Sequence, residues 1–179
     1  MFRHQKELQF EAKPEKPNPL VAKYLQELIG GQYGEMSVAM QYLFQGWSCR
    51  GEEKYKDMLM DIATEELGHV EMLATMVARL LEGAPVEDQE AAMKKDPTIG
   101  TIISGMNPQH AIVAGLGPRP ADSVGNPWSG AYIIASGNLL ADFRANLNAE
   151  SQGRLQVARI YEMIDDRGVK DLLSVLLAR

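Results

Sequence analysis

Glu66 and His69 stand three residues apart in the stretch ATEELGHVEM, inside a run whose other members read as one buried helix. A carboxylate and an imidazole at positions i and i+3 of a helix point the same way, so an oxygen and a nitrogen can close on one ion. Two further glutamates, Glu35 and Glu150, fall in the apolar stripes of two other predicted helices. Burying an ionised carboxylate costs several kcal/mol unless a cation meets it. Arg154 is the only lysine or arginine on these faces, so a pair of divalent metal ions is the simplest source of the missing charge. Dinuclear carboxylate sites in four-helix bundles take one glutamate from each of two helices and a Glu-x-x-His from each of the other two. The chain supplies Glu35, then Glu66-x-x-His69, then Glu150, and the interval from Glu35 to Glu66, repeated from Glu150, runs just past Arg179.

Each of these residues also has a plainer reading. A single Glu-x-x-His is common on solvated helix faces, and Glu65 is one step from the stripe, so periodicity does not separate it from Glu66. Tyr42, two turns beyond Glu35, doubles as a core tyrosine with a bonded hydroxyl. His4 and His110 read as surface or loop histidines. Methionines 36, 40, 58, 60, 72 and 76 suit core filling, since thioethers prefer softer metals than carboxylates select.

The elements that must position these groups are helical. Pro14, Pro17 and Pro19 favour extended backbone, so residues 1–18 are expected to form an arm, followed by a bundle domain over 19–179. From Leu20 to about Arg50, Leu28, Gln32, Glu35, Ala39 and Tyr42 recur at helical spacing. Gly30, Gly31 and Gly34 in that run imply a closely packed neighbouring helix. After a break at GEE, a second helix carries Leu59, Ile62, Glu66, His69 or Val70, Leu73, Val77 and Leu80 on its inner face, with Gly83 and Pro85 placed to stop it. The proline-rich stretch 83–129 reads as a long crossover loop with one or two short helices. A third helix spans roughly 130–166, with a possible break near Gly137 and Leu140, Phe143, Leu147, Glu150, Arg154, Val157, Tyr161 and Ile164 on one face. DDRGVK reads as a turn, and VKDLLSVLLAR starts a fourth helix, truncated at the C-terminus. The fold class expected is therefore all-α, a four-helix bundle with a long crossover loop.

A chain of 179 residues with 45% hydrophobic content can bury one sizeable core. Its net charge of −6 argues against nucleic acid or an anionic membrane as a partner. A single cysteine, Cys49, fits a reducing compartment and a buried thiol. No stretch is long and apolar enough for a membrane span, and the N-terminus does not read as a secretion signal. A cytoplasmic location is expected, with a spore coat as the alternative.

The wording of the sequence adds to its spacing. LQELIGGQYGEMSVAMQYLFQGWSCRG, IATEELGHVEML, GNPWSGAYI and GNLLADFRANLNAESQGR resemble the manganese catalases, a ferritin-like family, and especially members related to spore-coat catalases. The resemblance covers nearly the whole chain. It implies a homohexameric enzyme that converts hydrogen peroxide to water and oxygen at two bridged manganese ions, iron being the less favoured metal. Position by position, Glu35 and His69 resemble terminal ligands of one manganese, Glu66 the bridging carboxylate and Glu150 a ligand of the other. Tyr42 resembles the tyrosine that hydrogen-bonds a ligand carboxylate. The family's second histidine ligand, on the fourth helix, has no counterpart within the chain, and an acidic residue to which the family assigns proton transfer would lie beside it. The expected reading is a manganese catalase chain shortened within that helix and impaired by the loss. A non-catalytic ferritin-like metal-binding protein or a structural coat protein is the alternative.

Overall fold

The computed structural model describes residues 4–83, Lys94, Asp96 and 105–179. Residues 4–18 contain no regular element, and α1 (Pro19–Gly30) begins where the prolines end. The Asn18 side chain accepts from the Val21 amide, and Pro19, which has no amide to satisfy, takes the first helical position.

The single helix expected from Leu20 to Arg50 is two helices. α1 ends at Gly30 and α2 (Glu35–Ser48) starts after a tight turn through Gly31 and Gly34. The turn satisfies its own backbone: Gly34 N donates to the Gly31 carbonyl, and Ser37 Oγ donates to the same oxygen. Gln32, expected on the inner face, is exposed in this turn. Gly30 does mark a close approach, but to a loop and not to a helix. A Cβ there would stand 2.3 Å from the carbonyl oxygen of Ala121.

α3 (Glu53–Leu81) runs without interruption and stops as the sequence requires, with Gly83 in the left-handed region at φ +73°. Within the expected crossover the described residues hold a short helix, α4 (Pro108–Ile112), and a lone antiparallel bridge between Ala121 and Pro127. The rest of that stretch, from 84 to 104 apart from Lys94 and Asp96, lies outside the described residues. A 3-10 turn at Gly130–Tyr132 precedes α5 (Leu139–Met163). The third helix therefore starts later than expected. The Asp142 carboxylate accepts from Ser136 N, Ser136 Oγ and Gly137 N, which folds the residues before Asn138 into a turn and leaves Asn138 to cap the helix. α6 (Arg167–Ala178) starts inside DDRGVK, because Asp166 accepts from the Val169 amide and caps it.

The face of α5 differs from the sequence reading. Leu140 and Leu147 are 62% and 70% exposed, while Asp142, Asn146, Ala149, Val157 and Ile160 are buried. Periodicity placed the leucines inside because it counts only apolar residues. Here two polar side chains take the inner positions, each fully engaged in hydrogen bonds.

Two apolar clusters hold the bundle. One joins α1, the C-terminal half of α3 from Met72 to Leu81, the end of α5 and all of α6. The other joins Val38, Tyr42 and Leu43 of α2 to Leu59 and Ala63 of α3 and Ala149 of α5. Met72 and Met76 fill the first cluster as expected, whereas Met58 is exposed and Cys49 is only half-buried.

The crossover is fastened to the helices by buried amides. Gln26 Nε2 donates to the carbonyls of Arg119 and Ala121, while its Oε1 accepts from Arg119 N and faces His110 Nε2 at 3.0 Å. His110, read from the sequence as a surface or loop histidine, is fully buried in this contact. Its burial, together with the Arg119 charge, holds its pKa below the usual histidine value. Further along, Trp128 Nε1 donates to Ser37 Oγ, and Ile134 bonds Gln41 and Gln45 through its N–H and C=O.

Candidate metal centre

Glu35 occupies the first position of α2, immediately after Gly34. The helix N-terminus favours an anion there, and the break in the predicted long helix is what creates that terminus. Glu66 and His69 sit mid-way along α3 on the inward face, 7% and 4% exposed. The structure thereby separates Glu66 from Glu65, whose half-exposed carboxylate binds Arg179 Nε instead, and His69 from Val70, which is only half-buried.

One carboxylate oxygen each from Glu35 and Glu66 and a ring nitrogen of His69 all lie within 4.8 Å of one another. His69 Nδ1 is 2.9 Å from Glu66 Oε2 and 3.8 Å from Glu35 Oε2. Its Nε2, on the far edge of the ring, is buried without a hydrogen-bond partner. Glu150 joins from α5: its Oε1 accepts from the Tyr42 hydroxyl at 2.9 Å. Glu150, expected in a buried stripe, is instead exposed and falls outside the tight group of three, because it sits at the open side of the cavity it lines. That cavity measures about 160 Å³ and is walled by Tyr33, Val38, Ala149, Val157 and Leu176, with Arg154 and Arg179 at its edge. A more open depression of about 490 Å³ beneath the N-terminal residues shares none of these side chains.

Burial is the largest cause pushing the Glu66 pKa up to about 7, with Glu35 adding to it and His69 opposing. Burial disfavours the His69 cation, but the Glu35 and Glu66 carboxylates outweigh it and raise the imidazole pKa to about 10. Glu150 is raised by burial and by the Glu66 charge, against the Tyr42 hydroxyl, His69 and Arg154. Burial, then Glu150, raises the Tyr42 phenol. A proton on His69 is thus the counter-charge this cluster provides for itself. Two carboxylate oxygens and an imidazole nitrogen so close together form a donor set suited to manganese or iron. These three residues fit one metal ion on that ground.

Two features that matter here are not singled out by the sequence: Arg179 and a buried amide cluster. Arg179 reaches back to Glu65 from the end of α6. Gln41, Gln45 and Asn146 form a buried amide cluster that ties α2 to α5. Asn146 lies one turn before Glu150, so the cluster fixes the part of α5 that presents it. Local periodicity carries no signal for such long-range pairing; the only hint was a polar residue at helical spacing from Ala149 and Val157.

Residues 1–179 match the family model described as manganese containing catalase. A manganese catalase of Bacillus subtilis is 72% identical over the whole of this chain and 65% of its own length. A manganese catalase of Lactiplantibacillus plantarum is 48% identical over the whole of this chain and 66% of its own. The chain thus spans a little under two thirds of the length of these relatives. The crystal structure of wild-type KatB, a manganese catalase from Anabaena, matches all of this chain and 74% of that one with a TM-score of 0.80 at 32% identity. The helical architecture is accordingly the ferritin-like one expected. On the family match, the identities and the shared fold, the chain belongs to the manganese containing catalase family.

Proposed function

We propose that this chain carries the metal centre of a manganese catalase, which disproportionates hydrogen peroxide to water and oxygen. The observation that carries the reading is the convergence of Glu35, Glu66 and His69, from two helices, within one small cavity. Glu35, Glu66, His69 and Glu150 are the proposed manganese ligands, with two ions per chain. Bound manganese supplies a two-electron couple matched to peroxide. The protein's own residues do the rest. Glu66, whose charge acts on both Glu35 and Glu150, would hold the metal beside them. His69 gives up its Nδ1 proton to become a neutral donor. The Tyr42 hydroxyl holds Glu150 in place, and the apolar walls from Val38, Ala149, Val157 and Leu176 limit water.

The same reading takes residues 1–18 as an arm, 19–179 as one dimetal bundle domain and about 83–129 as its crossover. It also takes the working form as a homo-oligomer, which the exposed Leu140, Leu147, Phe44 and Trp47 support, and as a hexamer by resemblance alone. Among the described residues no helix is long and apolar enough to cross a membrane. The test is oxygen release from peroxide by the manganese-loaded chain, beside metal content before and after His69→Ala. Expected is oxygen evolution that falls with the variant's manganese content. Stoichiometric manganese without oxygen would leave only a metal-binding role, and His69→Ala with unchanged manganese would remove the assigned site.

A further inference from the structure

We propose that Glu65 is the positioning residue for His69: its carboxylate accepts a hydrogen bond from His69 Nε2–H and holds the ring with Nδ1 aimed at Glu35 and Glu66. The proposal rests on the metal-site reading above and adds a residue to it. The ring of His69 has two edges in different surroundings. Nδ1 faces Glu66 Oε2 at 2.9 Å and Glu35 Oε2 at 3.8 Å, which makes it the nitrogen that meets a metal. Once Nδ1 donates its lone pair, the ring's remaining proton is on Nε2. That atom is buried without a partner. A buried N–H left so is unfavourable, and an unanchored ring can turn its donor nitrogen away from the ion.

Glu65 stands four residues before His69 on the same helix face, with Oε1 3.9 Å from Nε2. The separation is about 1 Å longer than a hydrogen bond. It closes by a small rotation of a side chain that is 31% exposed. Arg179 Nε already binds the same oxygen. A carboxylate has about four acceptor positions, so it can take Arg179 and His69 together. The arrangement Arg179, Glu65, His69 is then a chain of charge-assisted contacts reaching from the surface to the metal-facing nitrogen, and it holds the ring from outside the cavity.

The experiment compares Glu65→Ala and Glu65→Gln with Asp61→Asn, which removes an equal charge one turn earlier on the exposed face of α3. The first readout is the nitrogen-resolved ring N–H proton spectrum of the metal-free full chain, where three histidines make assignment tractable. A slowly exchanging, downfield Nε2–H of His69 is expected in the parent and in Asp61→Asn. It should weaken in Glu65→Gln and vanish in Glu65→Ala. The second readout is the Mn²⁺ dissociation constant by chelator competition, expected to rise about 10- to 100-fold in Glu65→Ala, less in Glu65→Gln and little in Asp61→Asn. Alanine is the best helix former, so circular dichroism should confirm intact variants. Survival of the Nε2–H signal in Glu65→Ala, or unchanged Mn²⁺ affinity there, overturns the proposal. A parent that shows the signal yet binds no Mn²⁺ faults the metal reading and leaves the Glu65 contact standing.

Discussion

Stripping the metal should make the protein less stable as pH rises, and loading manganese should cancel the trend. In the metal-free chain the His69 pKa is raised from 6.5 to about 10 by Glu35 and Glu66 against its burial. Between those values the folded state holds a proton that the unfolded chain has lost. The stabilisation is therefore complete below pH 6.5 and is lost as pH climbs towards 10. Glu66, raised from 4.5 to about 7, acts in the same sense over a lower window. His110, with a lowered pKa, acts oppositely, but both of its states are deprotonated well above 6.5. From about pH 7.5 to 9, then, His69 contributes close to one full proton to the slope. One proton corresponds to about 1.4 kcal/mol of stability lost per pH unit. His69 is buried, so solvent does not screen the contribution away. For a domain of this size that is about 3–5 °C in Tm per pH unit.

The assay is thermal unfolding followed by circular dichroism in the presence of a chelator, at half-unit steps from pH 7.5 to 9, on the parent and on His69→Gln. The parent should lose Tm steadily, while His69→Gln, which cannot take up the proton, should be nearly flat. With manganese bound, the ion replaces the His69 proton, so binding releases it and affinity rises with pH. The Tm difference between loaded and stripped protein should then widen with pH. A stripped parent whose Tm is flat or rises over this window, or a His69→Gln variant with the parent's slope, would refute the account of His69 as the cluster's built-in counter-charge.

Other perturbations test the frame around the site. Gly30→Ala places a Cβ 2.3 Å from the Ala121 carbonyl oxygen, which should cost about 1–3 kcal/mol and lower the urea midpoint. Asn146→Leu removes the partner of both Gln41 and Gln45, leaving buried amides unpaired at about 1–3 kcal/mol each, read by the same urea titration. Tyr42→Phe deletes the hydroxyl that donates to Glu150, so the Glu150 carboxyl should titrate at higher pH by carbon-detected NMR of the metal-free chain, with about 1 kcal/mol lost in stability.

The legible part of the molecule was the part written locally. Gly83 ending a helix, and Glu66 and His69 sharing a face, are encoded within a few residues of themselves. Where the sequence misled, a distant partner decided. The long helix expected through Gly31 is broken in two, and Gly30 makes room for the backbone of Ala121. Periodicity assigns Leu140 and Leu147 inward, yet Asp142 and Asn146 take those places because the turn at 136–137 and the glutamines of α2 satisfy them. His110 looked like a loop residue and is buried because Gln26 of α1 meets its ring. The same limit applies at the site. Periodicity left Glu65 and Glu66 level, and what separates them is the cavity on one side and Arg179 on the other.

The placing of Glu66 and His69 on α3 explains how a helix can carry them at all. Ala63, one turn before, belongs to the cluster shared with α2, and Met72, one turn after, to the cluster shared with α1, α5 and α6. The polar pair therefore lies at the junction where α3 passes from one apolar cluster to the other, and neither core has to enclose a charge in its interior. Each cluster packs α3 on its own side of the junction, which fixes the helix and the directions of both side chains in the absence of any ion. Glu35 reaches the same junction because α1 ends and α2 restarts beside it, and Glu150 because Ala149 anchors α5 in the second cluster. The cavity is thus the seam between two independently packed cores. That arrangement lets the carboxylates converge without unravelling the bundle. It also predicts that enlarging side chains at the seam, as in Ala149→Leu, should close the cavity and weaken manganese binding before it lowers helicity. Equal manganese affinity in a folded Ala149→Leu chain would mean that the seam is not where the metal sits.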